Sequence, residues 1–376
     1  MFDLISAKKY AIEKTRMNGA VFGDRLPTHT TNGRFDFSGN GSWVGGFWTG
    51  MNYLCYELTK EEAFLKAARA SGHRFSKRLY ENPETLDHDI GFLYSLSSVA
   101  DYKITGSLSA RKMALDAADV LAARYHVNGK FIRAWNIWAD MGQFGQENAG
   151  RIIADCMYNL PLLFWAYQET AERTYYDIAI SHAETTMKYL VRDDYTAYHT
   201  FVFDPVTGAP KYGQTFQGYS DGSCWARGQA WLIGGFSYAY NYTNDERFLK
   251  TAIHCAKVYL DKLEADLMPV WDLSLKGNCS EPRDTAAASV AASGLIELSR
   301  LCENEEKEYF FNMAVGILAQ LFDNYTTRGL ADQEGILLHG TIHKPQNFGV
   351  DCSIIYGDYY FIEAVYKIIK NKSAFF

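Results

Sequence analysis

The chain has 376 residues, of which 48% are apolar, and its formal net charge at neutral pH is −7. This apolar share is enough for a large buried core, whereas the negative charge argues against general nucleic-acid binding. No stretch has the length and apolarity of a membrane span, and no linker or low-complexity tract divides the sequence. We therefore expect a single catalytic domain over residues 1–376.

The first predicted element is a helix from Leu4 to Met17, in which Ile5, Ala11 and Ile12 lie between charged residues. The first ten residues of the sequence lack the basic start and apolar core of a secretory signal. Seven cysteines are scattered without a Cys-x-x-Cys pair, a pattern typical of buried free thiols in a reducing compartment. Together these features predict a cytoplasmic protein.

Four segments after this helix repeat one spacing. Each begins with an apolar, aromatic stretch of about four helical turns, continues through a Thr, and ends in an amphipathic segment that carries an Ala. The Thr is expected either to cap the second helix or to lie in the turn. The four triplets, in which the steps are 15 or 16 and then 9 residues, are Trp43, Thr59 and Ala68; Asp89, Thr105 and Ala114; Asp155, Thr170 and Ala179; and Arg227, Thr243 and Ala252.

Two further copies complete the series. A looser fifth copy starts at Asp284 and has Phe310 and Ala314 on its outer helix, and a sixth starts at Tyr356 and contains one helix only. We expect the N-terminal helix to supply the missing partner. Paired helices that stack in this way leave apolar ends unless the array is capped or closed. The sequence thus predicts an all-α fold, an (α/α)6 toroid whose N- and C-terminal helices close the ring.

The first residue of each repeat indicates where the chemistry lies. Trp43, Asp89, Asp155 and Arg227 share one phase, so in a toroid they should converge at one mouth. Each acid heads an apolar stretch, where burial would raise its pKa toward the range that proton transfer needs. The alternative for each Asp is a helix cap. Arg227 is expected either to grip a substrate carboxylate or to form an ion pair with Asp221 or Asp89.

Other candidate side chains point to a sugar cleft rather than to metal or nucleophilic chemistry. The sequence has no metal-ligand pattern, no serine elbow and no phosphate loop, so no metal or cofactor is predicted. His88 is expected to donate a hydrogen bond to a ligand, and Trp135 and His199 fall in loops, where a toroid builds its cleft. Aromatic residues reach 15%; they suit sugar binding, although most should fill helix interfaces.

At these residues the sequence resembles the unsaturated glucuronyl hydrolases of glycoside hydrolase family 88, over nearly the whole chain. The motifs that carry the resemblance are Gly23-Asp24-Arg25-Leu26-Pro27, Trp43-x-x-Gly46-Phe47-Trp48-x-Gly50, His88-Asp89-Ile90-Gly91-Phe92-Leu93, Asp155-Cys156-x-x-Asn159-Leu160-Pro161, Arg227-Gly228-Gln229-Ala230-Trp231 and Tyr356-Gly357-Asp358-Tyr359-Tyr360.

The resemblance implies an (α/α)6 toroid and an unusual reaction on a 4,5-unsaturated uronic acid at the non-reducing end of an oligosaccharide. A proton is added to C4 and water to C5 of the vinyl ether, and the resulting hemiketal opens. Asp155 matches the general acid/base and Asp89 the assisting acid. The implied sugar contacts are Trp43, His88, Trp135, His199, Gln217, Arg227 and Trp231. Phe216 departs from the His that the resemblance leads us to expect there.

Three alternatives stay open from the sequence. An unsaturated rhamnogalacturonyl hydrolase would share the fold, although His88-Asp89-Ile90-Gly91-Phe92 favours the glucuronyl family. A sugar epimerase would need basic histidines at the inner-helix starts, which are absent, and a catalytically silent carbohydrate-binding toroid would not consume its ligand. The expected partner is a lyase-derived oligosaccharide, with no nucleic acid or membrane, and the protein is expected to be a monomer or weak homo-oligomer. Whether Lys344 meets a sulfate is left open.

Overall fold

The computed structural model describes residues 2–376 and is predominantly helical. The helices are α1 (Leu4–Phe22), α2 (Gly45–Thr59), α3 (Glu62–Ala70), α4 (Gly72–Tyr80), α5 (Ile90–Tyr94), α6 (Ala100–Thr105), α7 (Leu108–Ala122), α8 (Gly142–Glu147), α9 (Leu160–Thr170), α10 (Arg173–Tyr189), α11 (Ala226–Thr243), α12 (Glu246–Asp261), α13 (Thr285–Leu301), α14 (Asn304–Asn324) and α15 (Ile355–Lys370). The strands are β1 (Leu26–Thr31), β2 (Arg34–Ser38), β3 (Tyr125–His126), β4 (Phe131–Ile132), β5 (Arg151–Ile153), β6 (Thr200–Phe203), β7 (Pro210–Gln214), β8 (Gly340–His343) and β9 (Phe348–Cys352).

Six inner helices form a closed ring, as predicted. They are α2, the run of α5 and α6 through a π-helical turn at Ser95–Val99, and then α9, α11, α13 and α15. Neighbours around this ring pack together, and the ring closes where α15 packs on α2. The outer layer consists of α3 with α4, then α7, α10, α12, α14 and, from the other end of the chain, α1. Because α1 contacts both α15 and α2, the two termini complete the sixth pair.

The repeated Thr lies in the turn and does not cap the outer helix. The Thr59 hydroxyl donates to the Cys55 carbonyl at 2.8 Å and accepts the Glu61 backbone N–H at 3.1 Å, which closes the inner helix. The same pair of hydrogen bonds recurs at Thr105, Thr170 and Thr243. The next residue is left-handed each time, at Lys60, Gly106, Ala171 and Asn244. This shared geometry explains the repeat spacing.

The outer helices turn their predicted aromatic and alanine positions inward. Both members of each pair are buried, so the i, i+4 pattern marks the face that packs on the inner ring. The pairs are Phe64 and Ala68, Tyr175 and Ala179, Phe248 and Ala252, and Phe310 and Ala314.

Two boundaries differ from the prediction. Helix α1 runs on to Phe22 instead of ending at Met17, because the Phe22 ring packs on Phe35 and Trp48 and holds the last turn against the core. Its Ile5 is 80% exposed, so that position does not belong to the buried face. Asp155 does not open an α-helix directly; it lies in a 3-10 turn, Ala154–Tyr158, and α9 begins only at Leu160.

Short strands, which the all-α prediction did not place, lie in the connections at the N-terminal ends of the inner helices. Strands β5, β6 and β7 form an antiparallel sheet, and β8 pairs with β9 in a hairpin between α14 and α15.

All seven cysteines are free, but only five are buried; Cys279 is exposed and Cys352 half-buried. Across residues 2–376, none of the helices combines the length and hydropathy needed to cross a bilayer.

Candidate active site

A cavity of ≈ 340 Å³ lies where the inner helices begin. The shared phase of the repeats predicts this convergence, since Trp43, Asp89, Asp155 and Arg227 all line it. The remaining lining residues come mainly from the connections and are Ser42, Asp87, Trp135, Trp138, Phe216, Gln217, Trp225, Ile342, His343, Gln346 and Phe348.

The two acids are buried in the wall of the cavity, and neither side chain caps a helix. Asp89 is 6% exposed and Asp155 is 8% exposed. The amide Nδ2 of Asn159 links them, since it donates to Asp89 Oδ1 and to the Asp155 backbone carbonyl, both at 3.3 Å. Asn159 Oδ1 accepts the Phe92 backbone N–H at 2.8 Å, which fixes the orientation of the amide.

Glycine at position 91 makes this link possible. A Cβ atom on Gly91 would lie 2.4 Å from Asn159 Cα and 2.6 Å from its Oδ1, distances that no side chain tolerates. The absence of a side chain therefore lets the start of α5 approach Asn159, and the two acid-bearing segments meet through that contact.

Burial raises the pKa of Asp155 from 3.8 to about 7, and the nearby Arg227 charge opposes the rise only in part. Its Oδ1 has no hydrogen-bond partner in the protein. A carboxylic acid that holds its proton near neutrality, with an unpaired oxygen at a cavity wall, can deliver that proton to a ligand and take one back.

Asp89 also tends to stay protonated. Burial raises its pKa well above the ordinary value, and the like charges of Asp87 and Asp155 raise it further. Asp87 is a third acid at the cavity, and its Oδ1 accepts the Asp89 backbone N–H at 2.9 Å. His88 Nε2 lies 3.5 Å from Asp89 Oδ1, but burial lowers the pKa of His88 far below its usual value, so the ring is neutral.

Arg227 is paired with neither Asp221 nor Asp89, the partners considered from the sequence. Its Nη1 donates at 2.8 Å to Asp284 Oδ2 and to the Thr341 carbonyl, and its Nη2 donates at 2.8 Å to the Ile342 carbonyl. Asp284, at the start of the fifth repeat, has no sequence signal that pairs it with Arg227. Arg227 thus ties the β8–β9 hairpin to α11, while its buried Nε has no hydrogen-bond partner in the protein.

His199 and Gln217 are both held by backbone groups. Gln217 lines the cavity, whereas His199 is 2% exposed and is not a lining residue, so its sugar contact stays a prediction. His199 Nδ1 accepts the backbone N–H groups of Phe216 and Gln217 at 3.1 and 3.2 Å. Burial together with the Arg227 charge lowers its pKa far below the usual value, so the neutral ring carries its proton on Nε2, which has no partner. Gln217 Nε2 donates to the Ile342 carbonyl at 2.9 Å.

The three predicted tryptophans lie at different depths. Trp43 lines the cavity and packs on Tyr356, with ring centroids 5.0 Å apart. Trp135 also lines it and stacks on Trp138 at 4.8 Å. Trp231 lies fully buried among the aromatic rings beneath the site and is not a lining residue. His88 is likewise fully buried behind the wall, so its predicted sugar contact and that of Trp231 stay predictions.

Sequence reasoning did not single out Asp87, Trp138, Asn159, Asp284 or His343 as functional residues. Asn159 and Asp87 each had a signal, since both lie within or beside a motif that carries an acid. Trp138 and His343 had none, because each comes from a connection outside the repeat. Within residues 2–376, no three His, Cys, Asp or Glu side chains are arranged to hold a metal ion.

Comparison with known proteins identifies the family. Residues 20–274 match the family model described as Glycosyl Hydrolase Family 88. An unsaturated glucuronyl hydrolase from Bacillus sp. (strain GL1) is 39% identical over 97% of this chain and 96% of its own. An unsaturated chondroitin disaccharide hydrolase from Streptococcus pneumoniae is 37% identical, over 96% of this chain and 90% of its own.

The relatives share the fold of this chain as well as its sequence motifs. The crystal structure of the unsaturated glucuronyl hydrolase from Bacillus sp. GL1 superposes with a TM-score of 0.93 at 38% identity, and the match covers 98% of this chain and 97% of that one. The family match, the high coverage of the relatives and the common toroid lead to one conclusion: this chain is a member of glycosyl hydrolase family 88.

Proposed function

We propose that this enzyme removes the 4,5-unsaturated uronic acid from the non-reducing end of oligosaccharides that a polysaccharide lyase has produced. Relatives that match nearly the whole chain are unsaturated glucuronyl and unsaturated chondroitin disaccharide hydrolases, which favours a glucuronyl over a rhamnogalacturonyl substrate. The observation that carries the proposal is Asp155, a buried carboxyl group at the cavity wall with a pKa of about 7.

The proposed chemistry is hydration of a vinyl ether. Asp155 donates its proton to C4, and positive charge develops at C5, where the ring oxygen stabilises it. The carboxylate left on Asp155 then accepts a proton from the water that adds to C5, so the acid is regenerated. The resulting hemiketal opens to a ketone at C5 and leaves a hemiacetal at C1, which breaks down to an aldehyde and releases the rest of the oligosaccharide as an alcohol. Protonation of carbon needs a donor whose pKa lies near the working pH, which suits Asp155.

The neighbouring groups support this cycle. Asp89, itself inclined to stay neutral, can donate a hydrogen bond to the substrate without adding a second negative charge. Asn159 holds the two acid segments together, and the unpartnered Nε of Arg227 offers one cationic donor to the uronic acid carboxylate. Trp43 presents an aromatic face on which a sugar ring can stack.

Deuterium uptake tests the proposed bond changes. In heavy water, the earliest product should carry one deuterium at C4, and it should form at the rate at which the ultraviolet absorbance of the unsaturated substrate disappears. Incubation of unlabelled product with enzyme in heavy water measures background exchange. Release of the aglycone with the C4–C5 double bond still intact in the freed uronic acid would contradict the proposal, because it would indicate attack at C1.

We also propose that residues 1–376 act as one catalytic domain in the cytoplasm, as a monomer or weak homo-oligomer. The seven free cysteines support a reducing compartment, and all six helix pairs contribute to one ring. Cell fractionation and sedimentation velocity test these points. Recovery in the culture medium, or a tight oligomer at nanomolar concentration, would contradict them.

A further inference from the structure

A second cavity lies beside α4, apart from the one that contains the acids, and has a volume of ≈ 410 Å³. We call it the α4 cavity. Across residues 2–376, no Asp or Glu side chain lines it, although the chain as a whole carries a net charge of −7. The cavity thus offers a ligand positive charge and hydrogen-bond donors. Its polar and charged lining residues include Asn40, Arg74, Lys77, Arg78, Asn82 and Thr85.

Arg78 is a buried cation at this cavity. The residue is 6% exposed and, in the part of the chain that the structure describes, belongs to no ion pair. Its guanidinium donates only to uncharged oxygens: Nε to Thr85 Oγ1 at 3.2 Å, Nη2 to the Thr85 carbonyl at 2.8 Å, and Nη1 to the Ser42 carbonyl. Each terminal nitrogen carries two hydrogens, so Nη1 and Nη2 each retain one for another acceptor. Buried charges are normally paired, because removing them from water is costly.

The acids near the α4 cavity do not balance this charge. Asp24 is paired with Arg74, since its Oδ2 lies 2.7 Å from Arg74 Nη2. Asp87 and Asp89 attract Arg78 from the catalytic side without an ion pair, and burial raises the pKa of both acids, which favours their neutral forms. An anion from outside the protein can therefore supply the charge that Arg78 lacks.

Lys77 and Asn40 add donors from two sides of the α4 cavity. Lys77 is exposed, follows Arg74 by three residues on the same face of α4, and has no ion pair in residues 2–376. Asn40 lies in the loop before α2, and its Oδ1 accepts the Ser42 backbone N–H at 2.9 Å, which leaves its Nδ2 as a donor. Donors on a helix and on a loop suit an acceptor whose oxygens point in several directions, as those of a tetrahedral oxyanion do.

We propose that the α4 cavity binds a tetrahedral oxyanion, phosphate or sulfate, held by Arg78, Lys77 and Asn40. Hydrogen bonds from guanidinium and ammonium groups to such oxygens are charge-assisted and strong. The site is separate from the catalytic cavity but adjoins it, because Ser42, whose carbonyl binds Arg78, lines the catalytic cavity. The inference is independent of the proposed reaction, since the anion is not a substrate.

Thermal unfolding of the full chain near neutral pH tests the site, because a ligand that binds only the folded state raises the transition temperature. Sodium phosphate or sodium sulfate replaces sodium chloride at constant ionic strength. We expect a saturable rise with phosphate or sulfate, half-complete on the order of 1 mM, and the anion with the lower midpoint is the occupant. No saturable rise with either anion, or a larger rise with sodium acetate, whose carboxylate is planar, would overturn the inference.

Two variants then test the lining residues. Lys77→Met should raise the half-saturating concentration by about tenfold, the worth of one charge-assisted hydrogen bond, and should fold normally because the side chain is exposed. Arg78→Lys keeps the charge but loses the forked geometry, and it should also weaken binding. The matched control is Lys66→Met, on the neighbouring helix α3, exposed and outside the α4 cavity. It removes the same charge and should change the midpoint by less than about twofold.

The outcomes separate a built site from general charge attraction. Equal weakening by Lys77→Met and Lys66→Met would overturn the assignment, because it would indicate attraction to positive charge anywhere on the surface. An unchanged midpoint in Lys77→Met would also overturn it, since the anion would then bind elsewhere, for example at Arg227 in the catalytic cavity. Neither result bears on the proposed reaction, whose own test is the consumption of an unsaturated disaccharide.

Discussion

At one end of the inner helices, Asp89 and Asp155 are buried and, within residues 2–376, form no ion pair with a lysine or arginine; at the other end, Glu297 and Glu363 are buried around Lys367. Tyr356 at the first turn of α15 contacts Trp43 at the cavity, and Lys367 lies eleven residues further on, about 16 Å along the helix axis. One ring of helices thus buries two acid pairs in opposite ways.

The second acid pair, which we call the Lys367 cluster, consists of Lys367, Glu297 and Glu363. Lys367 Nζ lies 3.3 Å from Glu363 Oε2 and 3.6 Å from Glu297 Oε2. The carboxylates also accept hydrogen bonds from hydroxyl groups, at 2.8 Å from Tyr359 to Glu363 and 2.7 Å from Ser373 to Glu297. Both carboxylates are therefore ion-paired and hydrogen-bonded. Because Glu297 lies in α13 and Glu363 and Lys367 lie in α15, the cluster joins these two helices.

The contrast shows that the acids at the cavity lack the ion pairs that stabilise the acids of the Lys367 cluster. A buried carboxyl group that forms no ion pair keeps its proton to a higher pH, as Asp155 does. Its oxygen without a hydrogen-bond partner is one that a purely structural site would avoid. The Lys367 cluster shows that the same fold can neutralise buried acids where no reaction takes place. We therefore expect changes at the cavity to affect turnover and changes at the cluster to affect stability.

The largest effect is expected from Asp155→Asn. The amide cannot donate a proton to carbon, so turnover of an unsaturated disaccharide should fall by about 10²- to 10⁴-fold, the range for loss of general acid–base catalysis. Loss of ultraviolet absorbance measures turnover. Calorimetric binding of the disaccharide and a cooperative thermal transition no lower than that of the wild type are the controls. Turnover near that of the wild type would remove Asp155 from its assigned role.

Disrupting the Lys367 cluster should lower stability and leave turnover unchanged. Lys367→Met leaves two carboxylates buried without their cation and should lower the free energy of unfolding by about 3–5 kcal/mol. Urea unfolding measures it, and kcat at a temperature where the variant is folded should stay near the wild-type value. The matched control is Lys372→Met. Lys372 is exposed, and its Nζ lies 3.8 Å from Glu57 Oε2, so it forms a weak surface pair worth under about 1 kcal/mol. Equal effects of the two variants would refute the contrast.

Asp155 should also make stability depend on pH. Its pKa is 3.8 when exposed and about 7 in the folded protein, so between these values the folded state binds more protons, and the free energy of unfolding falls as the pH rises. At about 1.4 kcal/mol per pKa unit, this amounts to at most about 4 kcal/mol. Asp155→Asn removes this pH-dependent contribution. The free energy of unfolding of the variant minus that of the wild type should therefore be larger at pH 8 than at pH 5. Parallel pH profiles for the two proteins would contradict this.

The smallest effect is expected at the bridging amide. Asn159→Ala removes the donor to Asp89 Oδ1, which lowers the pKa of Asp89 in the intact protein. The pKa of Asp89 should therefore rise further, and kcat should fall by about tenfold, the worth of one such hydrogen bond. The control is Asn136→Ala, because Asn136 lies outside the cavity and binds backbone carbonyls. A kcat loss in Asn136→Ala as large as in Asn159→Ala would indicate a general packing effect.

The repeat spacing was sufficient to predict the ring and the convergence of Trp43, Asp89, Asp155 and Arg227, because equivalent positions on stacked helices lie on one rim. It could not predict the Arg227–Asp284 pair, since that contact depends on how neighbouring repeats are rotated, and periodicity does not encode rotation. Nor could it place His343, which comes from a β-hairpin inserted between repeats. Helical periodicity thus predicts the scaffold, whereas the connections supply much of the cavity wall.

The central claim is that Asp155 holds its proton near neutrality because it is buried without an ion-pair partner. Infrared difference spectra between the wild-type enzyme and Asp155→Asn, recorded across neutral pH, report the carbonyl band of that protonated carboxyl directly. We predict a band that disappears with a midpoint near pH 7, in step with the fall in kcat/KM. A band that is already absent at pH 6, while the enzyme remains fully active, would contradict the account.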